Sequence, residues 1–129
     1  MAKDNEGFEL FKKEFKRYQK LFGLMGYHIY FEYKALDDIL AQITINQEDM
    51  AATVRLNSKP SKENKAIQDV KWCAKHEAIH LLIGRLEKYG SSRFISGDDL
   101  VEATEELATK LESLIPDLPD DGARVVVQQ

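Results

Sequence analysis

Along the first part of the chain apolar residues recur at three- and four-residue steps. Phe8, Phe11, Phe15, Tyr18, Phe22 and Met25 draw one stripe on a 3.6-residue period, which predicts a helix from about Gly7 to Met25 with Gly26 as its stop. The period then changes. Tyr27 to Tyr33 is aromatic and β-branched and reads as a strand, and Leu36-Asp37-Asp38 reads as a turn. From Ile39 to Asn46 the pattern alternates, with Ile39, Ala41, Ile43 and Ile45 on one face and Gln42, Thr44 and Asn46 on the other. Met50 to Leu56 is a third strand, and the short connections predict an antiparallel meander.

Asn57 to Asn64 has loop composition and ends in helix-start signals. A long helix is expected from about Lys65 to Lys88. Its middle, Ala78 to Ile83, is apolar nearly all round, so this helix should be central. Tyr89-Gly90-Ser91-Ser92 stops it. A last helix runs from near Gly97 to about Ile115, with Leu100, Thr104, Leu107, Ala108, Leu111, Leu114 and Ile115 as its expected buried side. Pro116 ends it, and residues 117–129 are expected to form a mobile tail. The fold class is α+β: an N-terminal helix, a three-stranded, mainly antiparallel sheet, a central helix and a C-terminal helix. One domain is expected over residues 1–116, without repeat or linker.

Composition narrows the class. The 129 residues suffice for a core without staples. The formal net charge is −4, so neither nucleic acid nor anionic lipid is the default partner. Cys73 is the sole cysteine, which rules out an intrachain disulfide. The opening Met-Ala-Lys-Asp-Asn-Glu-Gly lacks the apolar run of a signal peptide, and no stretch approaches the ~20 apolar residues of a membrane span. A cytoplasmic location is expected.

The central helix carries the chemistry, in His76-Glu77-Ala78-Ile79-His80. Two histidines four apart project from one helix face about one turn apart, and can take two corners of a zinc tetrahedron. Glu77 lies about 100° round from His76, so it need not ligate and can serve as general base toward a water on the metal. With three histidines and twelve glutamates in the chain, H-E-x-x-H would arise by chance at roughly the one-in-a-hundred level or below. The bland alternative is a helix with two incidental histidines.

A third protein ligand has to come from elsewhere. No histidine follows His80, and Ile83 stands where the extended metzincin pattern has glycine. The acids of the last helix remain: Asp98, Asp99, Glu102, Glu105 and Glu106. On a helical wheel Glu105 is the glutamate nearest the edge of the expected buried side, while Glu102 and Glu106 point more nearly away, so Glu105 is the first choice of ligand and Glu102 the second. The alternative is a solvated acidic face that suits a helix N-terminus.

His76-Glu77-Ala78-Ile79-His80-Leu81-Leu82, followed by Glu105-Glu106-Leu107-Ala108-Thr109-Lys110-Leu111-Glu112, resembles the minimal zincin metallopeptidases. It is most similar to small gluzincin-like proteins encoded by phages, over about Met50 to Ile115. Aligned on Leu111-Glu112, the resemblance places the ligating glutamate on Glu105. It implies zinc on His76, His80 and Glu105, Glu77 as the base, and a peptide or protein substrate paired with an edge strand, either Met50 to Leu56 or Ile39 to Asn46. Spartan/SprT-like proteins share the motif but carry features this chain lacks. Tyr89, His28 and Arg93 are candidate oxyanion donors.

Three further features have bland readings. Cys73, on the same side of the helix as His76, reads as a small buried apolar residue, with coordination as the alternative. Trp72 reads as core or edge of core. Five cationic residues between Lys12 and Lys20 face Glu9 and Glu14, which suits a solvated face and, less directly, a nucleic-acid or acidic partner. The main alternative to a peptidase is a catalytically idle zincin-like module that binds metal or another protein.

Overall fold

The computed structural model describes residues 2–60 and 67–116. Over them the chain is α+β, in the order α1 (Ala2–Leu21), β1 (His28–Lys34), β2 (Ala41–Asn46), β3 (Ala51–Asn57), α2 (Ile67–Gly90) and α3 (Gly97–Leu114). The helix start expected near Lys65 and the tail expected over residues 117–129 lie outside the described residues.

Helix α1 stops at Leu21, earlier than its apolar stripe suggests. Gly23 takes a φ of 73°, and the N–H groups of Gly23 and Leu24 donate to the carbonyls of Lys20 and Gln19. That pair of bonds closes the helix C-terminus, and the left-handed residue suits glycine. Phe11, Phe15 and Phe22 are buried as the stripe predicts, whereas Met25, beyond the turn, is exposed.

The sheet is mixed, and this corrects the meander. Its order is β1-β3-β2, with β1 parallel to β3 and β2 antiparallel to β3. Residues 35–40 carry the chain from β1 past the end of β3 to β2. Stepping over one strand needs about 10 Å, two strand spacings, and six residues can span roughly 20 Å. Asn57, buried at the end of β3, holds this crossing. Its Nδ2 donates to the carbonyls of Leu36 and Ile39 at 2.9 and 2.8 Å, and its Oδ1 accepts from the Leu36 N–H at 3.1 Å. Asp38 turns the crossing at a φ of 60°, a conformation that aspartate tolerates better than most residues.

Alternation then sorts the two faces of the sheet. Rows Ile29–Ala52–Ile45, Phe31–Val54–Ile43 and Tyr33–Leu56–Ala41 point inward in register. The outer face is polar, with Arg55 donating to Glu32 at 2.8 Å and Thr44 at 2.9 Å. Rings dock α1 onto β1: Phe15 meets Phe31 edge-on at 5.7 Å and Phe8 stacks on Tyr33 at 5.0 Å. Helix α2 packs against α1, β2 and α3, so it is central, as its apolar middle predicts.

Helix α3 starts at an N-cap, Ser96, whose hydroxyl accepts from the Asp99 N–H at 3.0 Å. Its packing corrects the expected buried side. Ala103 is buried, and Leu107, Lys110 and Leu114 are half-buried, whereas Leu100, Thr104, Ala108, Leu111 and Ile115 are exposed. Ala103, Leu107, the Lys110 stem and Leu114 face the rest of the molecule, and the remainder of the expected stripe does not. Lys110 explains part of this, since its Nζ reaches the Phe22 and Gly23 carbonyls at the end of α1, each at 3.3 Å. Among the described residues no helix is long and apolar enough to cross a membrane.

Asn57→Ala should destabilise the chain by about 1–3 kcal/mol, because it leaves three partly buried backbone groups of the crossing without their side-chain partner. Urea unfolding of the two proteins measures this directly.

Candidate metal centre

Helix α2 turns three faces to three neighbours. Ala74, Ala78 and Leu81 are buried in the core. Arg85 and Tyr89 lie toward α3, and the line His76, Glu77, His80, Gly84 borders β2. Between that line and Ala41, Gln42, Ile43, Ile45 and Gln47 of β2 and its turn lies an open cleft of about 660 Å³.

Gly84 lets the two elements come so close. A Cβ there would sit 2.8 Å from Gln47 Nε2 and 2.9 Å from Ile45 Cδ1. An isolated glycine within a helical pattern is the signal for such an approach, and it went unread in the sequence. Gln47 is itself held from behind, since its Oε1 accepts from the Tyr27 hydroxyl at 2.6 Å. Burial pushes the Tyr27 phenol up, so it stays protonated as that donor. The Gln47 Nε2 is buried and has no hydrogen-bond partner among the described residues.

The structure brings His76 and His80 together. Their ring centroids are 4.8 Å apart at 78°. Trp72, expected in or at the edge of the core, is instead 61% exposed and stacks on His76 at 4.7 Å and 19°. Three rings at i, i+4 and i+8 thus line one ridge, and the indole plane limits how the His76 ring can turn.

Glu77 is only 6% exposed, and among the described residues nothing donates a hydrogen bond to its carboxylate. Burial pushes this carboxyl up, against the smaller opposing pull of the His80 and His76 rings. Cys73 is buried, as expected, and burial with the nearby Glu77 and Asp69 charges pushes its thiol up to about 11. It is a packed thiol with little thiolate at neutral pH.

The acids of α3 do not join this group. Glu102 and Glu106 are each held by Arg85 at 2.9 Å. Glu105 is exposed, about 170° round α3 from the packed positions on an ideal wheel, and does not line the cleft. Asp98 and Asp99 lie exposed at the helix start. Tyr89 lines a separate cavity of about 510 Å³ with Arg85 and Glu106, while His28 and Arg93 are exposed away from the cleft. Among the described residues no three His, Cys, Asp or Glu side chains are grouped to hold a metal ion. The fit to zinc is therefore that of two imidazoles with a carboxylate beside them.

Compared with family models, curated proteins and solved structures, the chain finds no match in any of the three. Its chemistry has to be argued from the cleft itself.

The raised Glu77 carboxyl makes a signed prediction for the metal-free protein. The folded chain keeps a proton there after the unfolded chain has lost it, so stability falls as pH rises from the ordinary glutamate value of about 4.3 through the folded one. Glu77→Gln cannot ionise and escapes that fall. In the presence of a chelator the variant should melt a few degrees above wild type at pH 7 and level with it near pH 4. Equal melting temperatures at both pH values would show that Glu77 is not desolvated.

Proposed function

We propose that this chain is a zinc-dependent peptidase, with His76 and His80 as metal ligands, Glu77 as general base, and β2 as the strand that receives an extended peptide. The observation that carries the reading is the Glu77 carboxyl, on a residue only 6% exposed, set beside two imidazoles in the wall of an open cleft and pushed up by burial. A fold alone has little use for such a group, since the desolvation that raises the carboxyl is a cost an apolar residue of similar size would not carry. Perturbed acids in clefts are therefore candidates for catalysis.

The residues divide the work as follows. His76 and His80 would hold the ion, which when bound supplies Lewis-acid polarisation of a carbonyl and makes water more acidic. Glu77 takes the proton of the attacking water and returns it to the departing amine, and burial raises its carboxyl in the direction that makes it a stronger base than an ordinary glutamate. Trp72 restrains the ring of His76. Among the described residues β2 pairs with β3 on one side only, and its other edge offers backbone N–H and C=O groups to a substrate strand. β3, the other strand named for this role, lies mid-sheet and has no free edge.

A second reading, an idle metal-binding or interaction module, has its own support. Arg85 engages Glu102 and Glu106, and Glu105 faces away, so no α3 acid lines the cleft.

One set of measurements separates the two. Purified protein should carry about one zinc per chain, and His80→Ala should lose it. Against a pool of unstructured peptides read by mass spectrometry, wild type should cleave, and Glu77→Gln should lose about 10²–10⁴-fold in rate while keeping its zinc. Zinc without any Glu77-dependent cleavage would favour the idle module. Absence of zinc at any supplied concentration would sink both.

A further inference from the structure

The exposed side of α3 carries a pattern its packing does not use. Val101, Thr104, Ala108, Leu111 and Ile115 follow one another at steps of three, four, three and four residues, and all are exposed, Val101 and Ile115 by 60% and 63%. That alternation is the seam of a two-stranded coiled coil. On an ideal wheel it lies roughly 110° from the positions that face the rest of the molecule, Ala103, Leu107, Lys110 and Leu114. The one polar member has its hydroxyl satisfied internally: Thr104 Oγ1 donates to the Leu100 carbonyl at 2.8 Å. It therefore leaves its methyl group on the seam.

Charge says what fits there. In this register Glu105 and Glu112 occupy the flanking e positions, and both are exposed. Over the whole helix Asp98, Asp99, Glu102, Glu105, Glu106 and Glu112 stand against Lys110 alone. The opposite flank is Leu100, Leu107 and Leu114, which turns toward the α2 side. A second copy packed antiparallel would set Glu105 and Glu112 against their own counterparts, which is repulsive. From Leu100 to Ile115 the seam runs about 22 Å, the length of a helix of roughly 15 residues.

We propose that the outer face of α3 is a docking seam for an amphipathic helix of another protein, with apolar residues at heptad spacing and Lys or Arg beside them. Glu105 is then a partner-selecting charge at the rim of that seam. The proposal stands on α3 alone and does not depend on the zinc-peptidase reading.

The probes are two synthetic helices of three heptads, both with leucine at the seam positions, one flanked by lysine and the other by glutamate. Titrated into the full chain at low salt, the lysine peptide should bind one to one. Its affinity should fall with added salt and drop at least tenfold for Leu111→Asp, while the glutamate peptide should bind at least tenfold more weakly. Glu105→Lys combined with Glu112→Lys alters only exposed residues and should reverse the preference. Equal binding of both peptides, binding indifferent to Leu111→Asp, or no binding would overturn the proposal. So would a homodimer in sedimentation that Leu111→Asp dissolves, because the occupant would then be a second copy.

Discussion

The closeness of β2 to α2 is the constraint on which the cleft depends. At Gly84 the helix has no side chain, and the ends of Ile45 and Gln47 fill that space. The same two elements carry, one turn earlier, His80 and Glu77 on one side and Ile43 and Gln42 on the other. A side chain at position 84 would force one of the two elements outward or turn Gln47 away. The support extends further back: Gln19, buried in α1, donates to the carbonyls of Leu24 and Tyr27, and Tyr27 in turn holds Gln47. The cleft is thus braced from the first helix, through a line of polar side chains within an otherwise apolar interior.

Against that rigid frame Glu77 is the expensive element. Its neighbours on α2 that face inward are Ala74, Ala78 and Leu81, all compatible with packing alone. Glu77 is the one acid among them, and burial pushes its carboxyl up. His76, by contrast, is exposed, and what restrains it is the indole of Trp72. A nearly buried acid and an exposed imidazole stacked on Trp72 thus stand side by side in the wall of the cleft.

Much of this was legible in the sequence, and the failures have physical causes. The 3.6-residue stripe located α1, and the change to alternation located the strands, because each residue's burial is set by its own element. Strand order was not legible, because it depends on Asn57 gripping a loop some twenty residues earlier, and nothing local to residues 35–40 records that. The motif placed His76, Glu77 and His80 on one helix correctly. The wheel on α3 failed because two apolar faces lie side by side on that helix, and hydrophobicity alone does not say which of them is covered by this chain. Leu111 outweighs Ala103 on any hydropathy scale, yet Ala103 is the buried one. Choosing the larger stripe as the core face also displaced the choice of a third ligand, since Glu105 was selected by its distance from that stripe.

The crossing held by Asn57 has a consequence for how the chain reaches this state. Strands β2 and β3 are neighbours joined by a tight turn, and such hairpins close within roughly microseconds. β1 was made earlier on the chain, yet the surface it must lie along is supplied by β3. Its registration has to wait for the hairpin, and the closing of a longer loop makes it the slower event. The topology therefore predicts that β1 registers after the β2–β3 hairpin has closed, out of the order in which the strands are synthesised.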